Sequence, residues 1–260
     1  MDIQYLNLED PSLAYTWSHG PVARPLVVLH GLGDSAIETY APRFASSALR
    51  DTPTLFVDLP GFGHGQASET FAATIEEFSA DVHQLMTHLG LERTPVFAHS
   101  MGANVAIALA WNHPSSASQL ILAEPLLDPV HSVLATGIAK FSEASFVERR
   151  HAMLLRATRI QASRGDEAAA AFLPTLQMAN PTTLYRAASS LVAERDPSFA
   201  FILSHLDIQV HLLVGGRTVA NIDHLGLGAI PAVVIPNSGH SLMVEQTAAT
   251  ACAILDIVNL

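Results

Sequence analysis

The chain has 260 residues, 49% of them hydrophobic and only 14% charged, a composition that supports one large core and excludes a disordered chain. Thirteen Lys and Arg against 24 Asp and Glu leave a net charge of −11. A surface this acidic argues against nucleic acid and against anionic membrane faces; the expected partner is a small-molecule substrate, with no nucleic acid and no membrane. From the amino end, residues 3–8 and 13–17 read as short strands joined around Asp10-Pro11, a hairpin signal. Leu26–Leu29 is a continuous apolar run, the pattern of a parallel strand buried on both faces. Residues 35–49 are expected to be helical with an irregularity at Pro42, and residues 54–57 form the next buried strand. That strand runs into the glycine-rich loop Asp58-Leu59-Pro60-Gly61-Phe62-Gly63-His64-Gly65. Phe71, Ile75, Phe78, Val82, Leu85 and Leu89 then recur at helical spacing, with Gly90 as the C-terminal stop.

An apolar strand ending at Phe97-Ala98 follows, and a helical pattern through Val105, Ala108 and Leu109 begins just after Ser100. Strand 119–123 ends at Glu124; two further strands are expected at 208–214 and Ala232–Ile235, and a terminal helix at Thr247–Val258. Strands alternating with helices predict an α/β fold, a mostly parallel sheet with helices on both faces. Residues 126–204 interrupt the alternation: alanine-rich, with no convincing strand, they read as three to five short helices. At about 80 residues the segment far exceeds what a parallel crossover needs. It is therefore expected to be a cap inserted into a core formed by residues 1–125 and 205–260. Cys252, the lone cysteine, sits in the apolar pattern of the terminal helix and is expected in the core. Met1–Tyr5 shows neither a basic nor an apolar leader, and no run reaches membrane-span length, so the expectation is a cytoplasmic protein.

In open parallel sheets the chemistry gathers at the carboxyl ends of the strands, and three groups follow strands here. Ala98-His99-Ser100-Met101-Gly102 is one methyl away from G-x-S-x-G, the sharp strand-to-helix turn that exposes a nucleophilic serine. His30-Gly31-Leu32-Gly33-Asp34 follows Leu26–Leu29, where such a loop brings a backbone N–H toward the serine. Leu32 and Met101 are the expected N–H donors to an oxyanion, and His30, Gly31 and His99 are expected to contact substrate. Asn237-Ser238-Gly239-His240 follows the last strand, late enough for His240 to reach Ser100 as general base. The other histidines read as surface or packing residues; no HExxH or Cys/His ligand spacing occurs, so neither metal nor cofactor is expected.

Taken together, in this order and rough spacing, these motifs and the Asp58–Gly65 loop resemble the α/β-hydrolase superfamily over essentially the whole chain. The resemblance implies an eight-stranded, mostly parallel sheet, a variable cap at 126–204, and a Ser–His–acid triad carried by Ser100 and His240. The usual place of the acid, in the loop after strand 208–214, reads Gly215-Gly216-Arg217-Thr218, and threonine supplies no charge. A second arrangement, known in some haloalkane dehalogenases, puts the acid at the end of the strand after the nucleophile helix, here Glu124. Glu124 is the expected acid, with Asp223 and Asp128 as alternatives. A serine nucleophile argues against dehalogenation and implies acyl transfer. The expected activity is hydrolysis of a small, largely apolar carboxylic ester or lactone. A C–C or thioester hydrolase, a hydroxynitrile-lyase-like lyase and a non-catalytic binding protein remain as alternatives.

Overall fold

The computed structural model describes residues 2–8, 11–22, 24–128, 132–220 and 230–259; Asp10 of the expected hairpin and Asp223 lie outside them. Eight strands, β1 (Gln4–Asn7), β2 (Ser12–Trp17), β3 (Leu26–Leu29), β4 (Thr54–Asp58), β5 (Thr94–His99), β6 (Ala117–Ala123), β7 (Gln209–Gly215) and β8 (Ala232–Ile235), form one sheet. Their order is β1-β2-β4-β3-β5-β6-β7-β8; β1–β2 and β2–β4 pair antiparallel, and every other pair is parallel. Alternate residues of β3 divide between two cores, Val27 and Leu29 on one face and Leu26 and Val28 on the other. That two-sided burial is why the parallel strands read as unbroken apolar runs.

On one face lie α2 (Ile75–His88) and α3 (Met101–Asn112); on the other, a π-helical turn (Ala36–Tyr40) leads into α1 (Ala41–Ala45). Pro42 falls in the first turn of α1, where its missing N–H costs nothing. Helix α2 starts later than its apolar spacing suggests. Thr74 and Glu77 form a reciprocal capping box there, leaving Phe71 outside the helix but buried against Phe78. It ends as Gly90 adopts φ 66° and Leu91 N–H reaches Met86 O at 2.8 Å, closing a Schellman turn.

Between β6 and β7 the described chain is helical: α4 (Val133–Ala139), α5 (Glu143–Ser145) running through a π-turn (Phe146–Arg150) into α6 (His151–Ser163), then α7 (Glu167–Met178), α8 (Pro181–Val192) and α9 (Phe199–Ser204). After β8 come α10 (Leu242–Glu245) and α11 (Thr247–Val258). Helix α11 corrects one expectation. It turns Thr250, Ala251, Ile254 and Ile257 inward, and Cys252, about 100° around from Ala251 on the far side, is exposed rather than core. No helix among the described residues is long and apolar enough to cross a membrane.

Candidate active site

Strand β5 delivers the chain to Ser100, which takes φ 53° and ψ −122°, a conformation costly for a residue with a side chain. The turn is held by close approach: a Cβ on Gly102 would sit 2.5 Å from His30 O, so only glycine lets α3 pass the β3 loop. On its other flank Gly31 lies against the turn, its would-be Cβ 3.2 Å from both Ser100 Cβ and His99 Nδ1. Met101 opens α3, whose first backbone N–H groups have no acceptor inside the helix.

His240 Nε2 lies 2.9 Å from Ser100 Oγ, and His240 Nδ1 lies 3.4 Å from Glu124 Oε2. Glu124 follows β6 with φ 52°, a second strained residue at the same sheet edge, and is 9% exposed. Its Oε1 accepts from Gly215 N–H at 2.7 Å and from Thr218 Oγ1 at 2.5 Å. Burial pushes the Glu124 carboxyl upward, but hydrogen bonds from His240, Thr218 and the Gly215 N–H outweigh it and hold the group below its ordinary value. Three separate strand ends thus meet in one line of polar contacts, Ser100 from β5, Glu124 from β6 and His240 after β8.

Residues 24–194 match the alpha/beta hydrolase fold family. The chain belongs to that family. Its sequence is 27% identical over 121 residues to Uncharacterized hydrolase YugF of Bacillus subtilis (strain 168), covering 46% of this chain and 43% of that protein. Such matches span between 38% and 59% of the length of the first curated relatives. Among solved structures, the esterase EaEST from Exiguobacterium antarcticum superposes with a TM-score of 0.80 over 99% of both chains at 17% identity. A thermophilic esterase from Thermogutta terrifontis gives 0.78 at 20% identity, over 100% of this chain and 98% of the other. These similarities to solved structures are likenesses of fold.

Within this alpha/beta hydrolase fold, Ser100, His240, Glu124, Gly31, Leu32 and His99 all line one cavity of about 930 Å³, ample for a small organic ligand. Helices α4 to α8 supply most of its remaining wall. Phe141, Phe146, Met153, Leu154 and Phe172 line it; Met178, Tyr185 and Phe199 of the same 126–204 segment are not among its lining residues. Of the arginines at 149, 150, 156, 159 and 164, Arg150 alone reaches the cavity, and the others are exposed. Asp128 lines the cavity as well. His30 does not. It is fully buried, receives the Leu59 N–H on Nε2 at 3.0 Å and therefore donates from Nδ1 to Gly31 O at 2.8 Å. Its ring braces the Gly31 loop against the end of β4, which corrects the expectation that it contacts substrate.

His99 Nε2–H donates to the carbonyl oxygen of His240 at 2.8 Å, which fixes its tautomer and holds the His240 loop. Burial, aided by repulsion from His240, pulls its pKa down to about 3, so the ring stays neutral across the ordinary pH range. Several positioning residues escaped the sequence reading. Glu245 accepts from Gly239 N–H at 2.9 Å and pairs with Arg217, whose other arm donates to Asn237 O at 2.6 Å. Asn104 bonds Leu126 in both directions and pins the chain that leaves Glu124. The available signal for these was weak: polar residues flanking motif positions, with partners distant in sequence.

Proposed function

We propose that the protein is a serine hydrolase that cleaves a small, largely apolar carboxylic ester or lactone through an acyl-enzyme on Ser100. As Ser100 Oγ attacks the carbonyl carbon, His240 Nε2 takes its proton and the Glu124 carboxylate stabilises the imidazolium that forms. The N–H groups of Leu32 and Met101 bind the developing oxyanion. Collapse expels the alcohol, which leaves with the proton from His240. Water then attacks the acyl carbon, giving its proton to His240; the second collapse releases the acid and returns that proton to Ser100 Oγ. Residues 126–204 act as a cap that keeps the apolar part of the substrate out of water.

The observation that carries this reading is the chain of contacts from Ser100 Oγ through His240 to Glu124 at the edge of one cavity. Intact mass after treatment with a fluorophosphonate tests it, on wild type and Ser100→Ala in parallel. One adduct on wild type alone is expected, followed by turnover of short p-nitrophenyl esters or lactones. A folded wild type that takes no adduct overturns the reading in favour of a binding protein. Cyanohydrin cleavage without ester hydrolysis replaces it with a lyase.

A further inference from the structure

Among the polar groups of the cavity that have no part in the proposed chemistry, Asp34 stands nearest in sequence to the oxyanion loop. Asp34 stands on the loop after β3, on the same stretch as Gly31 and Leu32, and lines the cavity that holds Ser100. Its Oδ1 accepts from Thr39 Oγ1 at 2.5 Å and from the Ser35 N–H at 2.8 Å, so the carboxyl group is fixed in place. The Thr175 hydroxyl is a third, weaker donor to it, shared with Phe172 O at 2.9 Å. No ion pair reaches Asp34 among the described residues. Arg150, the cation on the cavity wall, lies over the Phe141 ring at 4.4 Å, and Asp166 is exposed and caps α7 by accepting from the Ala169 N–H at 2.9 Å. Burial pushes the Asp34 carboxyl above its ordinary value despite the bonds it does accept. A carboxylate offers about four acceptor positions. Asp34 is half-buried, and a carboxylate in such a place with an acceptor position left open recovers part of its desolvation cost when a ligand supplies a donor.

We infer that Asp34 is a specificity-determining residue that accepts a hydrogen bond from a hydroxyl or N–H on the substrate. The preferred substrates are then esters or lactones with one neutral donor on an otherwise apolar body, not plain alkyl esters. This rests on the serine-hydrolase reading.

The test is a ratio. Hydrolysis of p-nitrophenyl hexanoate is compared with its hydroxy derivatives, substituted from C3 to C6, and with the matching methoxy esters, which accept but do not donate. Wild type is expected to favour one hydroxy isomer by about 10- to 100-fold in kcat/KM. Asp34→Asn, which swaps an oxygen for a donor, should collapse that preference and shift it toward the methoxy ester; Asp34→Ala should collapse it alone. Because each ratio is measured on one preparation, partial misfolding cancels. A wild-type ratio near one at every position, or an equal loss on all esters in Asp34→Asn, overturns the inference and leaves Asp34 as a loop brace. Calorimetric binding of methyl hydroxyhexanoate and methyl hexanoate to Ser100→Ala, with and without Asp34→Asn, reads the same discrimination without turnover. No turnover, with a discrimination by Ser100→Ala that Asp34→Asn removes, therefore sinks the hydrolase reading alone; no discrimination with Asp34 intact, or discrimination that survives Asp34→Asn, sinks the role of Asp34.

Discussion

Two carboxylates end parallel strands at the same edge of the sheet, and their surroundings differ in kind. Asp58, after β4, is fully buried: Oδ1 accepts from Ser35 Oγ and the Ala36 and Ile37 N–H groups, and Oδ2 from the His64 N–H. Both oxygens are consumed by fixed donors, and the glycine-rich loop closes tightly over them, Gly63 at φ 52°. Glu124, after β6, spends only Oε1 on such donors and turns Oε2 toward an imidazole whose side chain is half exposed. A carboxylate with every lone pair committed is a knot in the fold. One with an oxygen left facing a half-exposed imidazole is available for chemistry.

The sharpest ways to break this comparison are substitutions at the two ends. Ser100→Ala sets the scale: on the proposed mechanism it lowers kcat on a p-nitrophenyl ester by about 10⁴-fold or more, with the circular dichroism spectrum unchanged. Glu124→Gln should follow with a loss of about 10²- to 10⁴-fold and a nearly native melting temperature. Asp58→Asn should do the reverse. It leaves buried donors facing an amide, so urea denaturation should show a loss of about 2–4 kcal/mol, while kcat per titrated active site stays within several-fold. Activity lost at Asp58 and kept at Glu124 would overturn the distinction.

Thr218→Val sharpens it further. The Glu124 carboxyl sits below its ordinary value of 4.5, so its contribution to stability is present above that pH and disappears as pH falls through the lower, folded value. Removing the Thr218 donor raises that folded value. The variant should lose several-fold in kcat, and its acid unfolding midpoint should move to higher pH, with the stability gap between the two proteins closing in acid.

A third buried carboxylate gives the smallest effect and the opposite sign. Asp81 on α2 is 6% exposed, and its Oδ2 has no partner among the described residues. Burial, with help from Glu77, pushes its pKa from 3.8 to about 7. A raised folded value means that ionising Asp81 opposes folding, so stability declines as pH rises from about 4 to 7. Asp81→Asn should therefore raise stability at pH 8 by about 1–2 kcal/mol, a gain that shrinks toward pH 4 in thermal melts. A loss at pH 8 would mean that Asp81 has a partner in solution.

The amino-acid sequence by itself determined the elements. Runs such as Leu26–Leu29 are apolar at every position because both sheet faces are covered, and the strand–turn–helix around Ser100 is written in small residues that only a sharp turn requires. Boundaries set by side-chain capping were less legible: Thr74 and Glu77, not the apolar face, decide where α2 begins. Cys252 was misplaced because an apolar helix of small residues does not reveal which side faces the sheet until α11 is docked. The sequence favoured Glu124 as the acid over Asp223 and Asp128, by elimination and by resemblance rather than by any contact it could show. Which of them faces His240 was decided by the pairing of β6 with β7, which sets Gly215 and Thr218 beside Glu124 across about 90 residues of chain. Hydrogen bonds act over about 3 Å, and only tertiary packing brings groups so distant in sequence that close.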